Sequence, residues 1–582
     1  MEIKKLSYYI NQEKIIKSKN YGKKIRIAFL GSFTLNGFEE TIQVQCNQEK
    51  INCITYNAPY NQFNEEILNE NSDLYKFKPD IIFLLIDDRT ILDKLFYFPY
   101  EYSEEDRRKF AEEKYYELEN LIKIITEKIQ SKLVITNFVI PTYSPFGIFE
   151  SKMEFGLKDI ILHINKKLKE LSKNQDSVYL YDFNSFVTKH GERNVLEYKK
   201  MFLGDIKISF DIIPYLIYEF VGYLKPILGL NKKCIVLDLD NTLWGGIVGE
   251  DGIEGIKLGP DPAGRPFIEF QKVIKSLLKS GIILAINSKN NSKDAMKVIK
   301  EHPHMILKED DFACLKINWN DKIANMRDIS NELNIGSDSM VFFDDDPVNR
   351  ELIKISMPEI KTIDLPKDPS SYALILRGLN DFNVLKITDD DFKRAKMYRQ
   401  EYDRHVFEST TKNLEEYLKK LDIKVKIRLA DKFSIPRISQ LSLKTNQFNL
   451  TTKRYQEEEI KKFVKDDKMI VGCAEVEDKF GESGITNMFI IKKNNEEWIL
   501  DTFLLSCRII GRGIEEGILS KIIEIGKKEG IKKIKAQFIP TEKNKPAENF
   551  LSDFGFQKEE EDWVFLLQNS IKIPTHLSVK FE

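Results

Sequence analysis

Residues 234–244 read Cys-Ile-Val-Leu-Asp-Leu-Asp-Asn-Thr-Leu-Trp. The apolar run Cys234–Leu237 has the composition of a strand covered on both faces. Asp238 and Asp240 follow it at once. Residues two apart at a strand exit point the same way, so both carboxylates face one crevice. In an open α/β sheet that crevice lies at the carboxyl ends of the strands, where ligands bind. Two carboxylates this close repel each other unless a cation lies between them. A hard dication such as Mg²⁺ takes one or two carboxylates together with phosphate oxygens. The stretch therefore points to phosphoryl transfer, with Asp238 as the nucleophile and Asp240 as its acid/base partner.

Three further signals follow in chain order. Ile286-Asn287-Ser288 ends the next apolar strand with a hydroxyl donor, Ser288. Lys322 opens a helix and is suited to neutralising phosphate and carboxylate charge. Phe343-Asp344-Asp345-Asp346-Pro347 ends a third strand with more carboxylates. Each lies at a strand end or helix start, where donors and charges converge on a phosphoryl group. Asp238, Asp240, Asp344 and Asp345 are the expected metal-binding set, with Asp240 contributing its backbone carbonyl. Any one of these signals alone reads as a turn, a cap or a surface charge. Their succession on one α/β unit does not.

The same residues resemble a known family. Asp238 to Trp244, Gly245-Gly246, Gly249 to Gly252 and Leu258-Gly259 are similar to the FkbH-like branch of the haloacid-dehalogenase (HAD) phosphatases. Ser288-Lys289-Asn290, Asn318 to Lys322 and Phe343 to Pro347 fit it too, although the branch usually has Asn where this chain has Asp346. Many such proteins pair the HAD part with an SGNH-hydrolase-like N-terminal part and an acetyltransferase-like (GNAT) C-terminal part. The resemblance implies three domains: 1–229, flavodoxin/SGNH-like α/β; 230–380, HAD-like α/β; and 381–582, GNAT-like α+β. It also implies transfer of a glyceryl unit from 1,3-bisphosphoglycerate to the thiol of an acyl carrier protein, with loss of phosphate, as in polyketide pathways.

Bulk composition agrees with several domains. The chain has 582 residues, enough for about three at ~100–200 residues each. Its net charge of −2 gives no reason to expect nucleic acid or an anionic membrane as partner. Six cysteines without a C-x-x-C pair read as reduced thiols. With no apolar h-region at the start and no run of membrane-spanning length, the expectation is a cytoplasmic protein.

The flanking parts alternate short strands and helices. Expected strands in the first are Ile25–Leu30, Asn52–Tyr56, Ile81–Ile86, Leu133–Asn137 and Val178–Tyr181, with a long charged helix over Ser103–Lys132. Gly31-Ser32 sits where an SGNH esterase places its nucleophile, but neither His163 nor His190 lies in the pattern of its base, so Ser32 reads as structural. The last part is expected to open with a charged helix over Asp389–Thr411. Later come the strands Met469–Val476, Ile485–Ile491 and Trp498–Leu505, and then Arg508-Ile509-Ile510-Gly511-Arg512-Gly513. This R-x-x-G-x-G loop opens a helix and resembles a pyrophosphate-binding loop, giving Arg508, Gly511, Arg512 and Gly513 as expected contacts of CoA or of a carrier's phosphopantetheine arm. Such an arm would run along Trp498–Leu505 and bring its thiol to Cys507, the expected acyl carrier. Cys314, ahead of Lys322, is a second candidate, and the polar stretch Lys444–Asn449 is a possible acyl-site lining. Two other readings stay open: an acyl-CoA-dependent acyltransferase on a sugar or amine with an independent small-molecule phosphatase, and a scaffold with decayed sites.

Overall fold

The computed structural model describes all residues except 1–2, 17–20, 388–391, 393–396, 402, 405–406, 409, 412, 495 and 542. The chain forms two compact units, Met1–Leu224 and Lys225–Glu582. The charged helix expected over Asp389–Thr411 lies largely outside the described residues.

The first unit is built on five parallel strands: β1 (Lys23–Gly31), β2 (Ile51–Asn57), β3 (Ile81–Leu85), β4 (Lys132–Thr136) and β5 (Val178–Tyr181), in the order β2-β1-β3-β4-β5. Every residue of β3 is buried, as a strand covered on both faces requires. The helices Glu104–Ile124 and Leu157–Asn174 pack on one face, burying Leu118 and Ile122 against Ile161 and Ile164. Ser103 and Asp106 form a reciprocal capping box at the start of the first of these helices. That helix ends before Lys132. It passes into a wider turn over Ile125–Ile129, and Gln130 then adopts a left-handed φ of 59°, which stops it.

The second unit holds two sheets. One contains β6 (Cys234–Leu237), β7 (Ile283–Lys289), β8 (Cys314–Asn318), β9 (Met340–Asp344) and β10 (Lys361–Asp364), all parallel, in the order β10-β9-β6-β7-β8. β6 lies at its centre and is wholly buried. Helices lie at Arg265–Lys279, Ser292–Glu301 and Lys322–Glu332, the last opened by Lys322 as expected. β8 and β10 were not expected: both are short edge strands mixing apolar and charged residues. A buried ion network joins the two ends of this α/β part. Lys225 donates to Asp381 (2.8 Å) and Asn380 (2.9 Å), and Lys361 reaches the other Asp381 oxygen at 2.6 Å.

The other sheet is mixed. Its strands are β11 (Ile423–Leu429), β12 (Phe448–Asn449), β13 (Met469–Asp478), β14 (Gly481–Asn494), β15 (Glu497–Leu505), β16 (Lys533–Ala536), β17 (Gln557–Glu559), β18 (Asp562–Leu566) and β19 (Leu577–Phe581). The main order is β17-β18-β16-β15-β14-β13-β11-β19, with β12 paired to β15 off this path. β13, β14 and β15 form an antiparallel meander, and β15 then pairs in parallel with β16 after the helix Ile514–Lys528. This is the α+β organisation expected of the last part. No helix among the described residues is long and apolar enough to cross a membrane.

Candidate active site

The carboxyl ends of β9, β6 and β7, neighbours in the sheet, bring most of the expected residues together. Asp238 leaves β6 and Asp344 ends β9, with the Asp238 amide donating to the Phe343 carbonyl (2.9 Å). Asp238, Asp344 and Asp345 each place a carboxylate oxygen within 4.8 Å of the others. Lys322, 1% exposed, lies 3.0 Å from Asp238 Oδ1 and 2.5 Å from Asp344 Oδ2. Burial alone would lower its pKa, but the charges of Asp238 and Asp344 outweigh that and raise it, so the ammonium stays charged. Burial, and then the charge of Asp238, raise the pKa of Asp344. The same two causes, with Asp344 added, push Asp345 up to about 6. Three hard oxygen donors crowded together are a set that a small dication fits.

Asp240 stands apart from that cluster. Its Oδ1 accepts from Trp244 Nε1 (2.9 Å) and the Val248 amide (3.1 Å), and its Oδ2 accepts from Asn290 (2.8 Å). Its side chain is therefore committed to the loop that follows β6 rather than grouped with the three metal-suited carboxylates. Burial raises its pKa, which favours the protonated acid. The loop is shaped by Gly245 and Gly246. A Cβ on Gly245 would stand 2.9 Å from the Phe267 ring. Gly246 has φ +94°, and a Cβ there would meet Asp251 Oδ2 at 2.5 Å. Asn241 accepts from the Gly246 amide (2.9 Å) and closes the turn.

Several positioning residues went unassigned in the sequence. Thr242 Oγ1 accepts from the Asp345 amide (3.2 Å). Arg350 donates to the carbonyls of Asp344 (2.8 Å) and Asp345 (2.6 Å). Asn287 holds the Lys322 carbonyl (2.9 Å) and accepts from Asn325 (3.1 Å), which fixes the start of the lysine's helix. Trp244 and Asn290 lay within the quoted motifs, but nothing in their spacing told which group they hold. Ser288 is buried near the end of β7, in register with Ile317. Asp346 caps the helix Pro347–Ser356 by accepting from the Val348 amide (2.9 Å), a task Asn performs equally well.

The cysteines lie elsewhere. Cys314 begins β8 rather than ending it. It is buried, its thiol lies 3.1 Å from Glu332, and burial pushes its pKa up, so it does not approach the crevice. Cys507 lines a cavity of ≈ 210 Å³ with Asn231, Lys233, Ser339, Lys444 and Gln447. Asn231 and Lys233 precede β6, and Ser339 precedes β9. This cavity therefore adjoins the amino edge of the sheet, the edge opposite Asp238. It does include the polar stretch after Lys444. Tyr398 Oη lies 3.8 Å from Cys507 Sγ, and Asn334 donates to the Cys507 carbonyl.

The track expected along Trp498–Leu505 is filled by the chain itself. β12 pairs with Leu504 and Leu505, and the Leu450 amide donates to the Phe503 carbonyl (3.2 Å). Ile539, beyond β16, donates to the Leu450 carbonyl (2.8 Å), so residues 448–450 wedge between β15 and the chain following β16. At the glycine loop, Gly511 and Gly513 adopt positive φ of 83° and 72°. The Arg508 and Arg512 side chains are buried: Arg508 bonds Ser506 (3.2 Å) and contacts Met397, and Arg512 pairs with Glu401 and Asp478. His576 lies 2.9 Å from the Arg512 carbonyl, and Glu515 and Glu516 occupy the first helical turn. None of these features offers an anion a free guanidinium.

The second unit thus carries a carboxylate–lysine cluster at the carboxyl edge of a central parallel sheet, and the first unit is a parallel α/β sheet of its own. Residues 26–224 match the family model of the FkbH N-terminal domain. Among solved structures, the N-terminal part of the protein BF1531 from Bacteroides fragilis, which contains a phosphatase domain and is complexed with Mg, is 28% identical. It spans 66% of this chain and 100% of its own, with a TM-score of 0.60. A quarter of the chain is similar to the ribosomal-protein-S18-alanine N-acetyltransferase from Escherichia coli, with 11% identity, 25% of this chain, 94% of that chain and a TM-score of 0.20. An acetyltransferase of the GNAT family from Staphylococcus aureus Mu50 gives 14%, 25%, 99% and 0.20. No curated protein matches the chain.

Proposed function

We propose that the chain is a Mg²⁺-dependent HAD-type phosphatase and acyltransferase that dephosphorylates a phosphorylated three-carbon acyl donor and loads the acyl unit onto an acyl carrier protein. The observation that carries the phosphatase part is the cluster of Asp238, Asp344, Asp345 and Lys322 across adjacent strand ends. Asp238, Asp344 and Asp345 would hold the metal, which when bound offsets negative charge on the carboxylates and the phosphoryl oxygens. An Asp238 oxygen attacks phosphorus, and the bond from phosphorus to the leaving oxygen breaks. Asp240 gives that oxygen its proton. Water then attacks the aspartyl-phosphate, Asp240 takes the water's proton, and inorganic phosphate leaves.

The acyl part rests on 1,3-bisphosphoglycerate as donor, which bears an ester phosphate and an acyl phosphate. A thiolate attacks its carbonyl carbon, the acyl C–O bond breaks, and phosphate departs with that electron pair. Cys507, in its cavity at the opposite sheet edge, is the proposed enzyme thiol, with the carrier's thiol as final acceptor. Cys507→Ser tests it, because a serine hydroxyl is a poor substitute for a thiolate. Intact masses of enzyme and carrier are read after mixing with 1,3-bisphosphoglycerate. The variant is expected to keep Mg²⁺-dependent phosphate release from the ester position and lose carrier loading. Loading at the parental rate removes Cys507 from the mechanism and leaves direct attack by the carrier's thiol.

A further inference from the structure

The carboxyl edge of the first unit's sheet is where an open α/β sheet presents a ligand site, but its side chains are arranged otherwise. Ser32 is buried, its Oγ accepting from the Asp87 amide (2.7 Å), and Lys207 is paired with Asp87 and Asp88. His163 is paired with Glu112, and His190 lies against Phe186 and Tyr215. What that edge presents to solvent is apolar.

The loop after β3 exposes Tyr97, Phe98 and Tyr100, and the loop after β4 exposes Tyr143, Ile148 and Phe149, with Ile148 98% exposed. After β5, the helix Tyr198–Gly204 has no buried residue at all and leaves Phe202 and Leu203 79% and 77% exposed. These loops touch one another. Tyr97, Phe98 and Tyr100 form a chain of ring contacts that continues to Phe146 (6.4 Å) in the next loop. Glu192 accepts from both Thr142 (2.8 Å) and Tyr198 (3.0 Å). The result is one surface rather than scattered residues, and a contiguous apolar patch of this kind marks an interaction site.

We infer that this face binds a second copy of the chain. A large aromatic side chain presents ~150–250 Å² when fully exposed, and with these side chains about half to four-fifths exposed the patch amounts to on the order of 1,000 Å². A stable interface buries ~800 Å² per partner, and permanent homodimers are the more apolar class. The charges around it are mixed, Lys94, Lys152 and Lys200 alongside Glu101, Glu154 and Glu197. A partner of one sign gains nothing from such a rim, whereas an identical surface related by a two-fold axis can match each sign with its opposite. The inference is independent of the chemistry proposed above.

The test is the solution mass of the full chain at low micromolar concentration, by light scattering on a sizing column. The parent should be a dimer. Phe202→Glu with Leu203→Glu, on a helix that buries nothing, should weaken the dimer by at least ~100-fold and yield folded monomer, with Ile148→Glu doing the same from another loop. Circular dichroism checks that the variants stay folded. A monomeric parent, or folded variants that remain fully dimeric, would overturn the assignment.

Discussion

Asp240 differs from the other acidic residues of the site in what holds it. Trp244, the Val248 amide and Asn290 fix its carboxylate, and its pKa is raised while Asp238, Asp344 and Asp345 crowd together elsewhere. Two carboxylates with separated environments take separate roles. Asp240→Asn should therefore slow both formation and hydrolysis of the aspartyl-phosphate, by ~10²–10⁴-fold. Rapid-quench kinetics should show both steps slowed, and an effect on only one would remove Asp240 as the shared proton carrier. At this scale the sequence was informative about Asp238, Lys322 and the acidic strand end, because spacing along a strand decides which way a side chain points. Thr242, Asn287 and Asn290 were opaque, because each is defined by a partner dozens of residues away, and Arg350 because its partners are backbone carbonyls that no side-chain pattern marks.

At the scale of elements, the ends of β6 and β9 form the metal-suited set. Mg²⁺ should raise the melting temperature, and Asp345→Asn should abolish most of that rise without unfolding the protein. Differential scanning fluorimetry with and without chelator reads this, and an undiminished Mg²⁺ response in the variant would take Asp345 out of the set. Strong elements were legible: Cys234–Leu237 and Val178–Tyr181 are as expected from their pattern. β11 alternates Ile423, Val425 and Ile427 with Lys424, Lys426 and Arg428, a half-buried strand signal that was passed over. β12 has two residues and exists only because Leu504 and Leu505 offer an open edge, so no local pattern announces it. That pairing altered the reading of the C-terminal part most.

For the whole second unit, the buried Lys225–Asp381–Lys361 network joins residues far apart in sequence. Burial works against ionised Asp381, but Lys361 and Lys225 prevail and hold its pKa at about 2, below the ordinary 3.8. A carboxylate lowered in the folded state stabilises above its unfolded pKa, and that contribution is lost as pH falls through the folded value. Asp381→Asn should cost at least about 2 kcal/mol near pH 7. The gap between parent and variant should narrow below about pH 4 and mostly close near pH 2. Urea titrations across that range measure it, and a gap independent of pH would show that Asp381 is not the titrating link. The two-site arrangement also belongs to this scale. β6 spans roughly 13 Å at ~3.3 Å per residue, with the carboxylates at one end and the Cys507 cavity by the other. The sequence indicated both groups of residues but not that they lie at opposite edges of one sheet, since that depends on how the C-terminal sheet packs against the strands.

The measurement closest to the central claim is phosphate release from 1,3-bisphosphoglycerate and from a simple phosphate ester by the full chain and by Asp238→Asn, with Mg²⁺ and with chelator. The amide keeps the shape of the carboxylate but cannot act as the nucleophile. The account predicts Mg²⁺-dependent release from the ester by the parent, and a fall of on the order of 10³-fold or more in the variant. Ester hydrolysis by Asp238→Asn at near the parental rate, or full hydrolysis after exhaustive chelation, would contradict it.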